Sequence, residues 1–211
     1  MKNENRVKEL LIDNAIQLIA KGGFEKATTK ELAHYGGDLE DVKMNEVYIY
    51  RLFGSKENLY ASAFYCLEQE IYIAFRDAVS SVGGFEIETV KSLYKFFVSV
   101  WQFVLRNEIR FRCYVCYYYS IYFRGDSLRQ HQKDFDAIVT SFRSIFKEEA
   151  DVTSIMHSVF DAMLAFAIRV YNGELMDDEI NRLHVFNVLY CMMMTYFKDD
   201  MLIRPLILQV F

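Results

Sequence analysis

The chain has 211 residues, 53% of them hydrophobic and 25% charged, and its 24 Lys and Arg against 29 Asp and Glu give a net charge of −5. That balance excludes a disordered chain, and the negative sign excludes a generic electrostatic binder of nucleic acid, so any DNA contact must rest on locally placed groups. One proline and nine glycines leave few helix breaks, which predicts an all-α protein. No segment approaches the roughly 18 to 20 apolar residues expected of a membrane helix. The first residues lead into an amphipathic pattern without an apolar signal core, so a cytoplasmic location is expected.

Val7, Leu11, Ala15 and Leu18 recur at helical spacing and predict a first helix over residues 5–21, ended by Gly22 and Gly23. Thr28-Thr29-Lys30-Glu31 reads as a capping box opening a short second helix that stops at Gly36-Gly37. A third helix is expected from Met44 to Phe53. Ser55 reads as the N-cap of a long fourth helix to about Ser80, with Gly83-Gly84 after it. Later helices are expected near 86–106, 108–123, 127–148, 152–172 and 176–197, and the tail with Pro205 is left unassigned.

Residues 23–59 hold polar and aromatic side chains where a helix-turn-helix meets DNA. Thr28 and Thr29 open the second helix, where hydroxyls and backbone N–H groups can meet a phosphate. Asn45, Glu46, Val47 and Tyr48 begin the third, the end expected to face base edges. Lys56 stands at the start of the fourth, where a cation and a helix N-terminus act together on a phosphate. Glu46 is unusual there, because an acid reading a groove can accept only from cytosine N4 and repels other sites.

Gly23-Phe24, Thr28-Thr29, Leu32-Ala33, Tyr50-Arg51-Leu52-Phe53 and Ser55-Lys56-Glu57-Asn58-Leu59 occur in an order and spacing that resembles the N-terminal domain of TetR-family transcription regulators. The resemblance covers about residues 7–64. It implies phosphate contacts from Thr28, Tyr50 and Lys56, and base or groove contacts from Thr29, Lys30, Glu46, Val47 and Tyr48. The chain departs from the family pattern by an acidic insertion over residues 38–43, in which Asp41 could instead cap an extended third helix. The expected organisation is a three-helix DNA-binding domain over 1–60, joined by the long helix to a helical ligand-binding and dimerisation domain over 61–211.

Residues 111–123 are apolar or aromatic on almost every face, so that helix must be surrounded by protein or line a cavity. Tyrosine hydroxyls need partners when buried, and clustered tyrosines suit either a core or a pocket for an aromatic or hydrophobic small molecule. TetR-like proteins bind an effector among their middle helices, and the resemblance makes Tyr94, Phe97, Trp101, Tyr114, Tyr117, Tyr118 and Phe135 the candidate effector-binding residues. It also implies a homodimer through the last two long helices, whose apolar stripes include Ile155, Val159, Met163 and Phe166, then Leu183, Phe186, Leu189, Met193 and Phe197.

Enzyme chemistry finds little support: His34, His131, His157 and His184 are dispersed, and no metal-protease, phosphate-loop or serine-elbow motif occurs. Cys113 and Cys116 form a CxxC without a second pair, so buried thiols are expected rather than a zinc or redox centre. No metal and no cofactor are expected. The leading expectation is a ligand-responsive repressor that binds a palindromic operator as a homodimer and is released by a small effector. The alternative is a TetR-like dimeric ligand- or protein-binding module that has lost operator binding through the acidic insertion. A thiol- or metal-based sensor using the CxxC is the third possibility.

Overall fold

A computed structural model describes residues 2–40, 42–82 and 90–198. In chain order the helices are α1 (Lys2–Lys26), α2 (Thr29–His34), α3 (Val47–Phe53), α4 (Lys56–Ser81), α5 (Val90–Arg106), α6 (Glu108–Tyr118), α7 (Asp126–Phe142), α8 (Val152–Tyr171) and α9 (Glu179–Met194). A single 3-10 turn, Arg143–Ile145, follows α7, and no strand occurs among the described residues beyond two isolated β-bridges. The fold is all-α, as composition predicts.

The chain divides into two compact units that are not collinear with it. One unites Met1–Glu70 with Asn107–His131, and the other unites Ile71–Arg106 with Gln132–Phe211. In the first unit α1 packs along α6 and contacts α2 and α3. Its core is Val7, Leu11, Ile19, Leu32, Ile49, Leu59, Phe64, Phe111 and Tyr117, all nearly inaccessible. In the second unit α8 packs against α5 and α9, with Phe75, Phe96, Phe142 and Phe160 in edge-on contact.

Helix ends follow local chemistry, and several differ from the expected bounds. α1 is broken at Gly23, whose φ of 68° only glycine adopts readily, so the expected stop is real although helical turns resume to Lys26. α3 starts at Val47 rather than Met44, because the Asn45 side chain accepts from the Val47 N–H and holds residues 44–46 in a turn. α6 ends at Tyr118 rather than 123. Ser120 donates to the Tyr117 carbonyl and accepts from the Tyr122 N–H, which offers the backbone an alternative to helix. α7 stops short of 148 because the chain then pairs with the segment that follows α9. Lys147 N–H donates to the Tyr196 carbonyl, and Lys198 N–H donates to the Ile145 carbonyl. The expected turn at Gly83-Gly84 and the tail beyond residue 198 lie outside the described residues.

One further expectation fails. α8 has 20 residues with a mean hydropathy of 1.2, long and apolar enough to cross a membrane by length and composition. His157, Asp161 and Arg169 interrupt its apolar run, which disguises it in the sequence. Val152, Met156, Phe160, Met163, Leu164 and Ala167 are buried in the second unit, so one face of α8 is core.

Candidate functional site

α2 and α3 form the turn-linked helix pair of the first unit. Thr28 caps α2, its hydroxyl accepting from the Glu31 N–H at 3.2 Å, while Leu32 and Ala33 are fully buried. Buried Asn14 on α1 donates to the Leu32 carbonyl at 2.8 Å and fixes the end of α2. Gly36 passes so close to α1 that a Cβ there would stand 2.6 Å from the tip of Leu10 and 2.7 Å from the amide oxygen of Asn14, so a larger residue would have to displace those side chains.

The insertion folds onto itself. Asp38 accepts from the Met44 N–H at 2.6 Å, Leu39 and Val42 exchange two backbone hydrogen bonds, and Met44 is buried. The Asp38 carboxylate is thereby engaged by a backbone N–H at the entry to α3. Asp41, the proposed cap, lies outside the described residues.

α3 turns Ile49 and Phe53 inward and leaves Val47 68% and Tyr50 54% exposed. Lys30, Asn45 and Glu46 are exposed as well, and Tyr48 is half-buried. The starts of the two helices are tied together: the Thr29 hydroxyl donates to Glu46 Oε2 at 3.0 Å. Arg51, which the sequence motif contains without assigning it a contact, joins this surface. Its guanidinium lies 4.6 Å from the Tyr48 ring centroid and 3.9 Å from Glu4 on α1. The only signal for it is the three-residue step from Tyr48, which places the two on one helical face.

Gly54, at φ 77°, ends α3, and Ser55 then caps α4 by accepting from the Asn58 N–H at 3.1 Å. Lys56 lies with its ammonium 5.7 Å from the Tyr60 ring centroid. Tyr60 is fully buried and donates to the Ala27 carbonyl at 2.7 Å, which braces the loop before Thr28 against α4. Burial, then Tyr122 and Glu57, push its hydroxyl pKa up, so it stays a donor. Its position four residues after Lys56 is the signal that could have found it.

The seven aromatic candidates are divided between the two units. In the first unit Tyr114 and Tyr117 stack on Phe64 at 5.0 and 4.6 Å, and Tyr118 stacks on Tyr114 at 5.8 Å. The Tyr117 hydroxyl is used by Ser127 and the Tyr122 carbonyl. In the second unit Tyr94 and Phe97 meet Phe186, Phe97 stacks on Trp101, and Trp101 Nε1–H donates to Asp177 at 3.0 Å. Phe135 stacks on His157 at 3.8 Å. A cleft of about 100 Å³ in the second unit is lined by Tyr72, Phe75, Arg76, Val79, Ser80, Ala137, Ile138, Ser141 and Phe142, and none of the seven borders it.

Cys113 is buried and Cys116 half-buried, and burial pushes both thiols up, which disfavours the reactive thiolate.

No protein-family model matches the sequence, and no curated protein matches it. Solved structures do match. A TetR family transcription regulator from Marinobacter aquaeolei VT8 superposes with a TM-score of 0.72 at 14% identity, over 91% of this chain and 98% of its own. A candidate TetR family regulator from Shewanella sp. PV-4 gives 0.70 at 19% identity, over 87% and 96%. SmeT, the repressor of the Stenotrophomonas maltophilia multidrug efflux pump SmeDEF, gives 0.61 at 14% identity, over 94% and 93%. The chain therefore has the fold of TetR-family transcription regulators.

Proposed function

We propose that this protein is a DNA-binding transcription regulator that recognises a palindromic operator as a homodimer and responds to a small effector. The observation that carries the reading is α3 itself. It keeps Ile49 and Phe53 for the core and exposes Val47 and Tyr50, large side chains with no core to serve. Exposed residues of that kind, fastened beside Thr29 and preceding Lys56, suit a groove-reading helix flanked by phosphate contacts. Thr28, Lys30, Asn45 and Tyr48 complete the proposed DNA-contacting set. SmeT is a repressor, and the shared fold favours repression here.

The dimer is proposed through α8 and α9. Ile180 and Val188 on α9 are 64% and 45% exposed, and Ile155, Val159 and Phe166 on α8 are only half-buried. A second apolar face of this kind accounts for the hydropathy of α8 without a membrane. Two-fold symmetry would then present two α3 helices to two half-sites. The effector is expected to be aromatic or hydrophobic and to bind among the tyrosine- and phenylalanine-rich helices. The test is selection of duplexes from a random pool by the purified protein, with Lys56→Glu as control. A palindromic consensus lost in the variant is expected, whereas no enrichment at low salt would overturn the reading.

A further inference from the structure

We propose that Thr29 and Glu46 form a base-reading pair, in which Thr29 positions the Glu46 carboxylate to accept from the N4 amino group of a cytosine. The inference rests on the operator-binding reading above and deepens it by naming one base pair in each half-site. The geometry begins with the hydrogen bond from Thr29 Oγ1 to Glu46 Oε2, 3.0 Å long and exposed. It joins residues 17 apart in sequence, one in the first turn of α2 and one immediately before α3.

Glu46 has no duty at its own helix end. The Val47 N–H is taken by Asn45, and Glu46 makes no side-chain cap. An ionised carboxylate is acceptor-only and holds about four lone-pair sites, so one bond from Thr29 leaves Oε1 with capacity to accept. The acceptor sites of guanine O6 and N7 and of thymine O4 repel such a group in the major groove. Adenine offers N6 beside an acceptor at N7, which repels the second oxygen, while cytosine offers N4 without that neighbour. A C·G pair is therefore the favoured partner.

Thr29 acts through Glu46. Its one hydroxyl proton is committed to the carboxylate, so it is a positioning residue and not a phosphate donor. The hydrogen bond removes rotamers from an otherwise exposed glutamate, and that ordering is what converts a repulsive charge into a discriminating one.

The experiment uses the full-length protein and four duplexes that differ only at the half-site position under Glu46, identified in the selected operator. Wild type is expected to prefer C·G by roughly 5- to 150-fold over the worst pair, the range of one good base contact. Glu46→Gln is expected to move the preference to A·T, because an amide pairs with adenine N6 and N7. Thr29→Val is expected to flatten the preference while keeping the palindrome and the thermal midpoint, and Thr29→Ser to restore it. A structural role for Thr29 would lower the midpoint and weaken all four duplexes alike, overturning the positioning role. A wild type indifferent at this position would overturn the pair and leave operator binding standing. Failure to bind any duplex at low salt would overturn the operator reading together with the inference.

Discussion

The Glu68 carboxylate on α4 and Nδ1 of His131 on α7 lie 2.5 Å apart, with both side chains more than nine-tenths buried in the first unit. Rings of Phe64, Tyr118 and Phe123 surround the imidazole at 5.3 to 6.4 Å. Breaking such a pair leaves its remaining member without that hydrogen bond in an apolar setting, which costs about 3 kcal/mol or more. Glu68→Leu or His131→Leu alone should lower stability by that order in urea unfolding. The double variant should recover most of it, and additive losses would show that the two residues are not coupled.

Tyr60 ties α4 to the Ala27 carbonyl just ahead of Thr28. Tyr60→Phe keeps the ring beneath Lys56 and removes one neutral hydrogen bond, a loss of about 0.5–1.5 kcal/mol. Thermal unfolding should show a small decrease, with the salt dependence of DNA binding unchanged. A changed salt dependence would place the hydroxyl itself in the DNA contact.

Trp101 is the single tryptophan of the chain, is 1% exposed, and donates to Asp177 beside Phe97. Its emission is therefore a built-in reporter of the second unit's aromatic cluster. An effector bound near Tyr94 and Phe97 should shift or quench that emission saturably. A ligand that releases DNA without altering it would place the effector elsewhere.

Val188 is exposed on α9 beside buried Asn187 and Leu189. Val188→Arg should leave the monomer's fold intact and convert a dimer to a monomer in sedimentation, with operator affinity falling at least tenfold as the second half-site is lost. An unchanged sedimentation coefficient would remove α9 from the dimer interface.

Asp151 caps α8, accepting from the Ser154 hydroxyl at 2.7 Å and from its N–H at 3.1 Å, and these bonds hold its carboxyl below the usual range. A depressed folded-state pKa contributes stability above the unfolded value, and that contribution is lost as pH falls through the folded one. Asp151→Ala should therefore melt below wild type at neutral pH, and the gap should close in acid. A gap independent of pH would mean that the charge contributes nothing.

The first unit is legible in the sequence to the extent that its punctuation is local. Thr28 and Ser55 cap the helices they precede, and Gly23 turns where a positive φ is needed. Errors arise where a side chain competes with the helix ladder or a distant segment intervenes. Asn45 delays α3, Ser120 ends α6 early, and the meeting of Phe146 with Phe197 stops the chain beyond α7 from continuing as helix. The aromatic residues are less legible. Tyr114, Tyr117 and Tyr118 share a helix, yet which rings they meet depends on Phe64 and Phe123, and periodicity carries no information about those partners. Thr29 and Glu46 are each visible as candidates, but a hydrogen bond across 17 residues is not.

The most direct test of operator binding is the affinity for the selected duplex as a function of salt, for wild type and Lys56→Glu. Each phosphate contact adds close to one unit of slope in log affinity against log salt. Wild type should bind tightly at low salt and weaken steeply, and the variant, altered once per protomer, should bind more weakly with a slope shallower by about two. An affinity that ignores both salt and Lys56, or no binding at all, would contradict an operator-binding regulator and favour the alternative reading, a ligand- or protein-binding module without an operator.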